Sequence, residues 1–147
     1  MRQGIARAAA IGALAVAPAV ALADSTTYEG EGTSDPAAKI ELRISDGGDR
    51  EVKKVIARRL QYLSSTTNCT SSGRTGKIVV KDGWRVKENG EFRVVGNFDG
   101  GSDPLAGGQL NVVGDVGRRK VTGTVKFTFG KTGCQTEKEE FKAFRPA

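Results

Sequence analysis

From Lys120 to Cys134 the chain reads KVTGTVKFTFGKTGC, an alternation with Val121, Gly123, Val125, Phe127 and Phe129 on one face and Thr122, Thr124, Lys126 and Thr128 on the other. A period of two is that of a half-buried β-strand. Gly130 and Gly133 then turn the chain and place Cys134. The same period recurs upstream. Lys39 to Ser45 (KIELRIS) puts Ile40, Leu42 and Ile44 inward with Glu41 and Arg43 outward, and Glu91 to Phe98 (EFRVVGNF) and Leu110 to Val116 (LNVVGDV) read as further strands. Lys77 to Lys81 (KIVVK) is a short apolar strand, and Tyr28 to Glu31 a short first one. Thr136 to Arg145 (TEKEEFKAFR) reads as a final strand or a short helix, with Phe141 and Ala143 alternating.

Turn signals separate these runs. Gly32 to Pro36, Asp46-Gly47-Gly48-Asp49, Asn89-Gly90, the Gly-rich stretch Asp99 to Gly108 and Gly117-Arg118-Arg119 all carry residues that turns prefer, Asn89-Gly90 most strongly. Leu110 to Val116 is expected to pair with Val121 to Phe129 through the Gly117 turn. One segment is ambiguous. In Glu51 to Ser64 (EVKKVIARRLQYLS), Val52, Val55, Ile56, Leu60 and Leu63 fit a helical stripe, with Lys53, Lys54, Arg58 and Arg59 as its wet side. As a strand, its alternation is poorer. Its surroundings are all turn-punctuated strands, and tertiary context overrides local propensity, so a strand is expected there. About eight short antiparallel strands with regular turns predict an all-β domain, a single β-sandwich or barrel.

The first residues change the picture of where this domain works. Arg2 and Arg7 precede the apolar run Ala8 to Ala17, and Ala21-Leu22-Ala23 precedes Asp24. That is the order of a secretory signal peptide over residues 1–23, leaving 24–147 as one domain that is secreted or held in the cell envelope, with no later membrane span expected. Loss of Arg2 and Arg7 takes the formal charge from +6 to +4, a mildly basic balance. In an oxidising compartment the two cysteines, Cys69 and Cys134, are expected to form one intrachain disulfide, worth about 4 kcal/mol on the chain-entropy model. Two free thiols or an intermolecular link are the alternatives. The chain has no histidine, which removes Ser-His-Asp and Cys-His catalysis and His-ligated zinc. With both cysteines expected to be bridged, a thiol nucleophile is not expected either, so carboxylate, lysine or tyrosine chemistry is left, no spacing singles out an acid and base pair, and no cofactor is expected.

Tyr28-x-Gly30, the strand Lys39 to Ile44, the run up to Cys69, ENGEF at Glu88 to Phe92, KVTGTV at Lys120 to Val125, Cys134 and FKAFR at Phe141 to Arg145 occur in this order. In them the chain resembles a group of small exported bacterial proteins with a YxG start, a mid-chain cysteine, an NGxF turn, a VxGT strand and a second cysteine before a final aromatic-x-Ala strand. The resemblance implies a β-sandwich with a Cys69 to Cys134 bridge, and a strand over Glu51 to Ser64. It implies no activity. Asn68-Cys69-Thr70 stands where the group has a Cys-acidic-Gly turn.

Candidate sites are few. Gly130-Lys131-Thr132 is not a phosphate loop, because Val125 stands where the first glycine is needed and no helix follows. Asn68-Cys69-Thr70 fits a glycosylation pattern on a cysteine expected to be bridged. Asp99, Ser102 and Asp103, and separately Asp46, Asp49 and Glu51, read as turn chemistry ahead of calcium ligation. Two basic groups, Arg50, Lys53, Lys54, Arg58 and Arg59 in one and Arg118, Arg119 and Lys120 in the other, are candidates for meeting a polyanion such as an envelope polymer. Tyr62 and Trp84 are not interleaved with these charges, which argues against nucleic acid. Trp84 is expected at the core or its edge, and an exposed ring there would favour a saccharide. The function expected is a non-catalytic binding module at the envelope or outside the cell. The alternatives are a structural or protein-interaction domain partnered by another exported protein and, behind both, a carboxylate-based hydrolase.

Overall fold

Alternating faces dictate a sheet that buries one side, and the chain satisfies this by wrapping one sheet around a shared core. The computed structural model describes residues 25–62, 72–98, 107–130 and 134–146. The leader over 1–23, Cys69 with its flanking Asn68 and Thr70, Asp99 with Ser102 and Asp103, and the Lys131-Thr132 pair lie outside the described residues.

Every regular element among the described residues is a strand. In chain order they are β1 (Ser25–Gly32), β2 (Lys39–Ser45), β3 (Glu51–Arg58), β4 (Gln61–Tyr62), β5 (Gly73–Arg74), β6 (Lys77–Arg85), β7 (Glu91–Phe98), β8 (Gly108–Val116), β9 (Lys120–Thr128) and β10 (Glu139–Phe144). Eight of them form one antiparallel sheet in the order β6-β3-β2-β1-β10-β9-β8-β7, and β4 and β5 make a small separate hairpin. The first and last strands are therefore neighbours, with Glu29 opposite Phe144 and Gly32 opposite Phe141. The sheet is nearly closed into a barrel. Its seam lies between β6 and β7, the two strands joined by the Asn89-Gly90 turn. Gly90 adopts a φ of 96° there, and the Lys87 amide donates to the Glu91 carbonyl at 2.8 Å, but no ladder continues beyond the turn.

The inward positions are those the alternation assigns. Ile40, Leu42, Ile44, Ile78, Val80, Phe92, Val94, Leu110, Val112, Val121, Val125, Phe127, Phe141 and Ala143 all fall in one buried cluster. Glycine makes the curvature possible. Gly114 and Gly123 are register partners, and a Cβ on Gly123 would run into the Val113 carbonyl oxygen, while one on Gly114 would sit 2.7 Å from the Phe92 ring. No side chain fits where those two backbones meet, so the sheet can bend there and seat Phe92 and Phe141 on either side of the pair.

Within the ambiguous segment, Glu51–Arg58 is a strand that ends at a left-handed Arg59 and Gln61–Tyr62 begins another, while Leu63 and Ser64 lie outside the described residues; the cause of the helical appearance is visible in the first part. Arg43 pairs with Lys54 but Ile44 pairs with Val52, so Lys53 is an extra residue, a β-bulge. The bulge resets the alternation. Val52 and Val55, three residues apart, are both fully buried, as is Ala57. On the β6 side Asp82 and Gly83 oppose that same bulge.

One end of the barrel is closed by aromatic rings. Tyr62 meets Phe129 edge-on with centroids 4.8 Å apart, and Phe129 meets Phe127 at 5.1 Å. The chain after Cys134 returns to β9: the Phe127 amide donates to Thr136 Oγ1 at 2.8 Å, and the Thr136 amide to the Phe127 carbonyl at 2.9 Å. Cys134 is buried in the core beside this cluster.

Candidate functional site

On β2, β3 and β6 the residues between the inward positions, the buried Ile56 apart, are exposed or half-buried on the outer face, and their register decides what face they make. Arg43 stands opposite Lys54, and Lys54 opposite Lys81. Four residues along, Lys39 stands opposite Arg58, and Arg58 opposite Lys77. Two rows of three cations thus cross three strands. Between them runs the row Glu41, Ile56, Val79, in which Ile56 is only 6% exposed.

Like charges directly opposite on a sheet repel and cost stability. The face has little internal relief. Among the described residues, Lys39 is the one cation of the six held in an ion pair, with Glu31 of β1 at 2.6 Å. Arg43, Lys39, Lys77 and Lys81 are exposed, and Lys54 and Arg58, on the middle strand, are half-buried between their neighbours. Such a face attracts any anion that can neutralise several charges at once.

No family model, curated protein or solved structure matches the chain. The strand register sorts the charged side chains of the sheet.

It divides the residues that the sequence grouped. Lys54 and Arg58 belong to the two cation rows. Lys53 is the bulge residue and pairs with Glu51 at 2.7 Å. Arg50 lies in the β2–β3 turn, where its carbonyl accepts from the Val86 amide. Arg59 follows β3 with a φ of 59°, a left-handed backbone rare for a side chain of its size. It is held there by its amide bond to the Thr75 carbonyl and by Arg74 Nη1 donating to its own carbonyl. Arg118 and Arg119 form the exposed β8–β9 turn and Lys120 opens β9, at the end of the barrel that also carries the Arg50 turn. Trp84 pairs with Val52 and packs, half-buried, against the core.

Sequence reasoning did not assemble Lys39, Arg43, Lys77 and Lys81 with Lys54 and Arg58. Their outward positions in KIELRIS and KIVVK are legible, but the register that aligns them depends on the Lys53 bulge and on β6 returning beside β3.

Two other surfaces were weighed against this face. A groove of about 590 Å³ on the outside of β7, β8 and β9 is lined by Arg85, Lys87 and Arg93 and also by Glu91 and Asp115, so two of its three cations are compensated. At the closed end, Asp35, Glu137 and Glu139 border a small recess. Two of these carboxylates have structural partners: Glu139 accepts from the Ser34 amide and hydroxyl at 3.1 and 2.9 Å, and Asp35 takes a two-pronged bond from Arg74 at 2.8 and 3.1 Å. That guanidinium holds the Asp35 carboxyl below the usual aspartate range. No group of three metal-ligating side chains occurs among the described residues.

Proposed function

We propose that this protein is an exported, non-catalytic binding module that holds an anionic polymer at the cell envelope or outside the cell, on the outer face of β2, β3 and β6. The observation that carries this reading is the pair of cross-strand cation rows, Arg43-Lys54-Lys81 and Lys39-Arg58-Lys77. A sheet face built for stability alone would set acids opposite all of these cations, as Glu31 of β1 stands opposite Lys39 and nothing acidic stands opposite the others. A bound polyanion supplies the missing countercharge. The signal-like leader and the resemblance to small exported proteins support the compartment, and the same compartment supports a Cys69 to Cys134 bridge. Cys134 is buried in the core, and no described cysteine is free.

Retention on immobilised heparin tests the reading. Lys54→Gln with Arg58→Gln removes two charges from the face, and Arg118→Gln with Arg119→Gln removes two from the β8–β9 turn. The first pair is expected to elute at clearly lower salt than the second. Equal shifts would mean that net charge alone is being read, and the face would lose its role.

One observation favours a second reading, a protein-interaction domain. Val95 and Val113 are 43% and 42% exposed and lie diagonally across the β7–β8 pair, beside the groove there. The patch is small for a stable interface, which places this reading second.

A further inference from the structure

The two cation rows differ from a continuous basic patch in one respect that bears on the ligand. Along each strand the cations are four residues apart, about 13 Å, and Glu41, Ile56 and Val79 fill the interval. Across the strands, neighbouring cations are separated only by the strand spacing, about 4.8 Å, so each row sets three positive charges within about 10 Å. A polyanion lying along β2 meets a cation, then the Glu41 carboxylate, then another cation. A polyanion lying across the strands meets cations without interruption.

We propose that the rows are two separate tracks, each taking a linear polymer of closely spaced phosphate or sulfate groups that runs perpendicular to the strands. This rests on the reading of the β2–β3–β6 face as the binding surface. The face offers nothing else to recognise. None of its nine outward residues is aromatic, so neither a base nor a sugar ring has a platform on which to stack. Ile56 is buried, so no large apolar side chain projects from the face to enter a bilayer. Four of the six cations are lysines, point charges on flexible stems that impose no planar two-pronged geometry on the anion they meet. The central row keeps the tracks apart, because Glu41 repels an anion placed between them.

The test is a backbone-amide NMR titration of the protein at low ionic strength, with a thymidine hexanucleotide as the phosphate probe and a heparin-derived hexasaccharide as the sulfate probe. Two tracks predict two groups of shifts, around Arg43-Lys54-Lys81 and around Lys39-Arg58-Lys77, that saturate independently at two probes per protein. Arg43→Gln with Lys54→Gln and Lys81→Gln is expected to erase the first group and spare the second. For the hexanucleotide, affinity at a single track should fall with salt with a log–log slope of about −2, from three phosphates at roughly −0.7 each. A preference between the probes assigns the track to phosphate or to sulfate polymers. One set of shifts saturating at one probe per protein overturns the two tracks while leaving the face as the binding surface. Shifts confined to Arg118, Arg119 and their surroundings overturn both. Shifts on the face with phosphatidylglycerol vesicles, and none with either polymer probe, overturn the polymer in favour of a membrane surface.

Discussion

Asp35 and Arg74 come from separate segments, the β1–β2 turn and the β4–β5 hairpin, and their two-pronged bond ties the hairpin to the barrel. Arg74 lowers the Asp35 pKa chiefly through that hydrogen bond. An unfolded aspartate titrates near pH 4. The folded group titrates lower, so the bond contributes its full stability above about pH 4 and loses it as the pH falls through the folded value. Asp35→Asn is therefore expected to lower the urea midpoint at pH 7. The gap from the unsubstituted protein should close as the pH falls below about 4 and through the folded value, and a gap independent of pH would show that the carboxylate charge is not what ties the hairpin. At this scale the sequence showed little. Asp35 looked like a turn residue and Arg74 fell between the expected strands, because nothing in the residues between them says that Arg59 bends the chain back through a left-handed backbone. The inward positions were legible, since burial of every second side chain is a local property. The exception was the stretch around Lys53, where one added residue moved Val52 and Val55 into the spacing of a helix.

The three strands β2, β3 and β6 show what a cation row costs. Replacing the central cation of a row by an acid, as in Lys54→Glu, turns two repulsive cross-strand pairs into attractive ones. The exchange is expected to raise stability by about 1 kcal/mol in urea unfolding at low salt, less at high salt, while heparin retention weakens. A loss of stability would mean that the row is already relieved. β9 makes the opposite point. Its alternation from Val121 to Phe129 was complete in the sequence, and its pairing with β8 through the Gly117 turn followed from a short connection. The pairing of β3 with β6 did not, because the β4–β5 hairpin and its flanks stand between them in the chain. The cation rows depend on that pairing and were hidden with it.

For the whole molecule, the class of fold was legible and the closure was not. Strand count and turn spacing suit a sandwich and a barrel equally. What decides is the pairing of β1 with β10 and the seam between β6 and β7. The seam falls at the strongest hairpin signal in the chain, where Asn89-Gly90 makes the tight turn but no ladder joins the strands beyond it, although Gly96 of β7 lies against Val80 of β6. A Cys69 to Cys134 bridge would act at this scale too, tying the segment after β4 to the segment after β9. Thiol labelling of the denatured, unreduced protein is expected to find no free cysteine, and labelling after reduction two. Reduction should also cost about 4 kcal/mol of stability on the chain-entropy model. Stoichiometric labelling before reduction would remove the bridge.

The meeting of β1 and β10 also sets when the protein can fold. Local hairpins such as β8–β9 can form as soon as their residues are available, but β1 has no second partner until β10 exists. A chain made or threaded from its N-terminus holds one edge of β1 open throughout, and each arc of the sheet lacks the other to cover its apolar face. Closure then demands one contact between segments far apart in sequence, the slow kind of step in a β-protein. Closure of the barrel therefore waits on β10, and a chain interrupted before Phe141 is expected to expose the open edges of β1 and β9 instead of forming a smaller version of the fold.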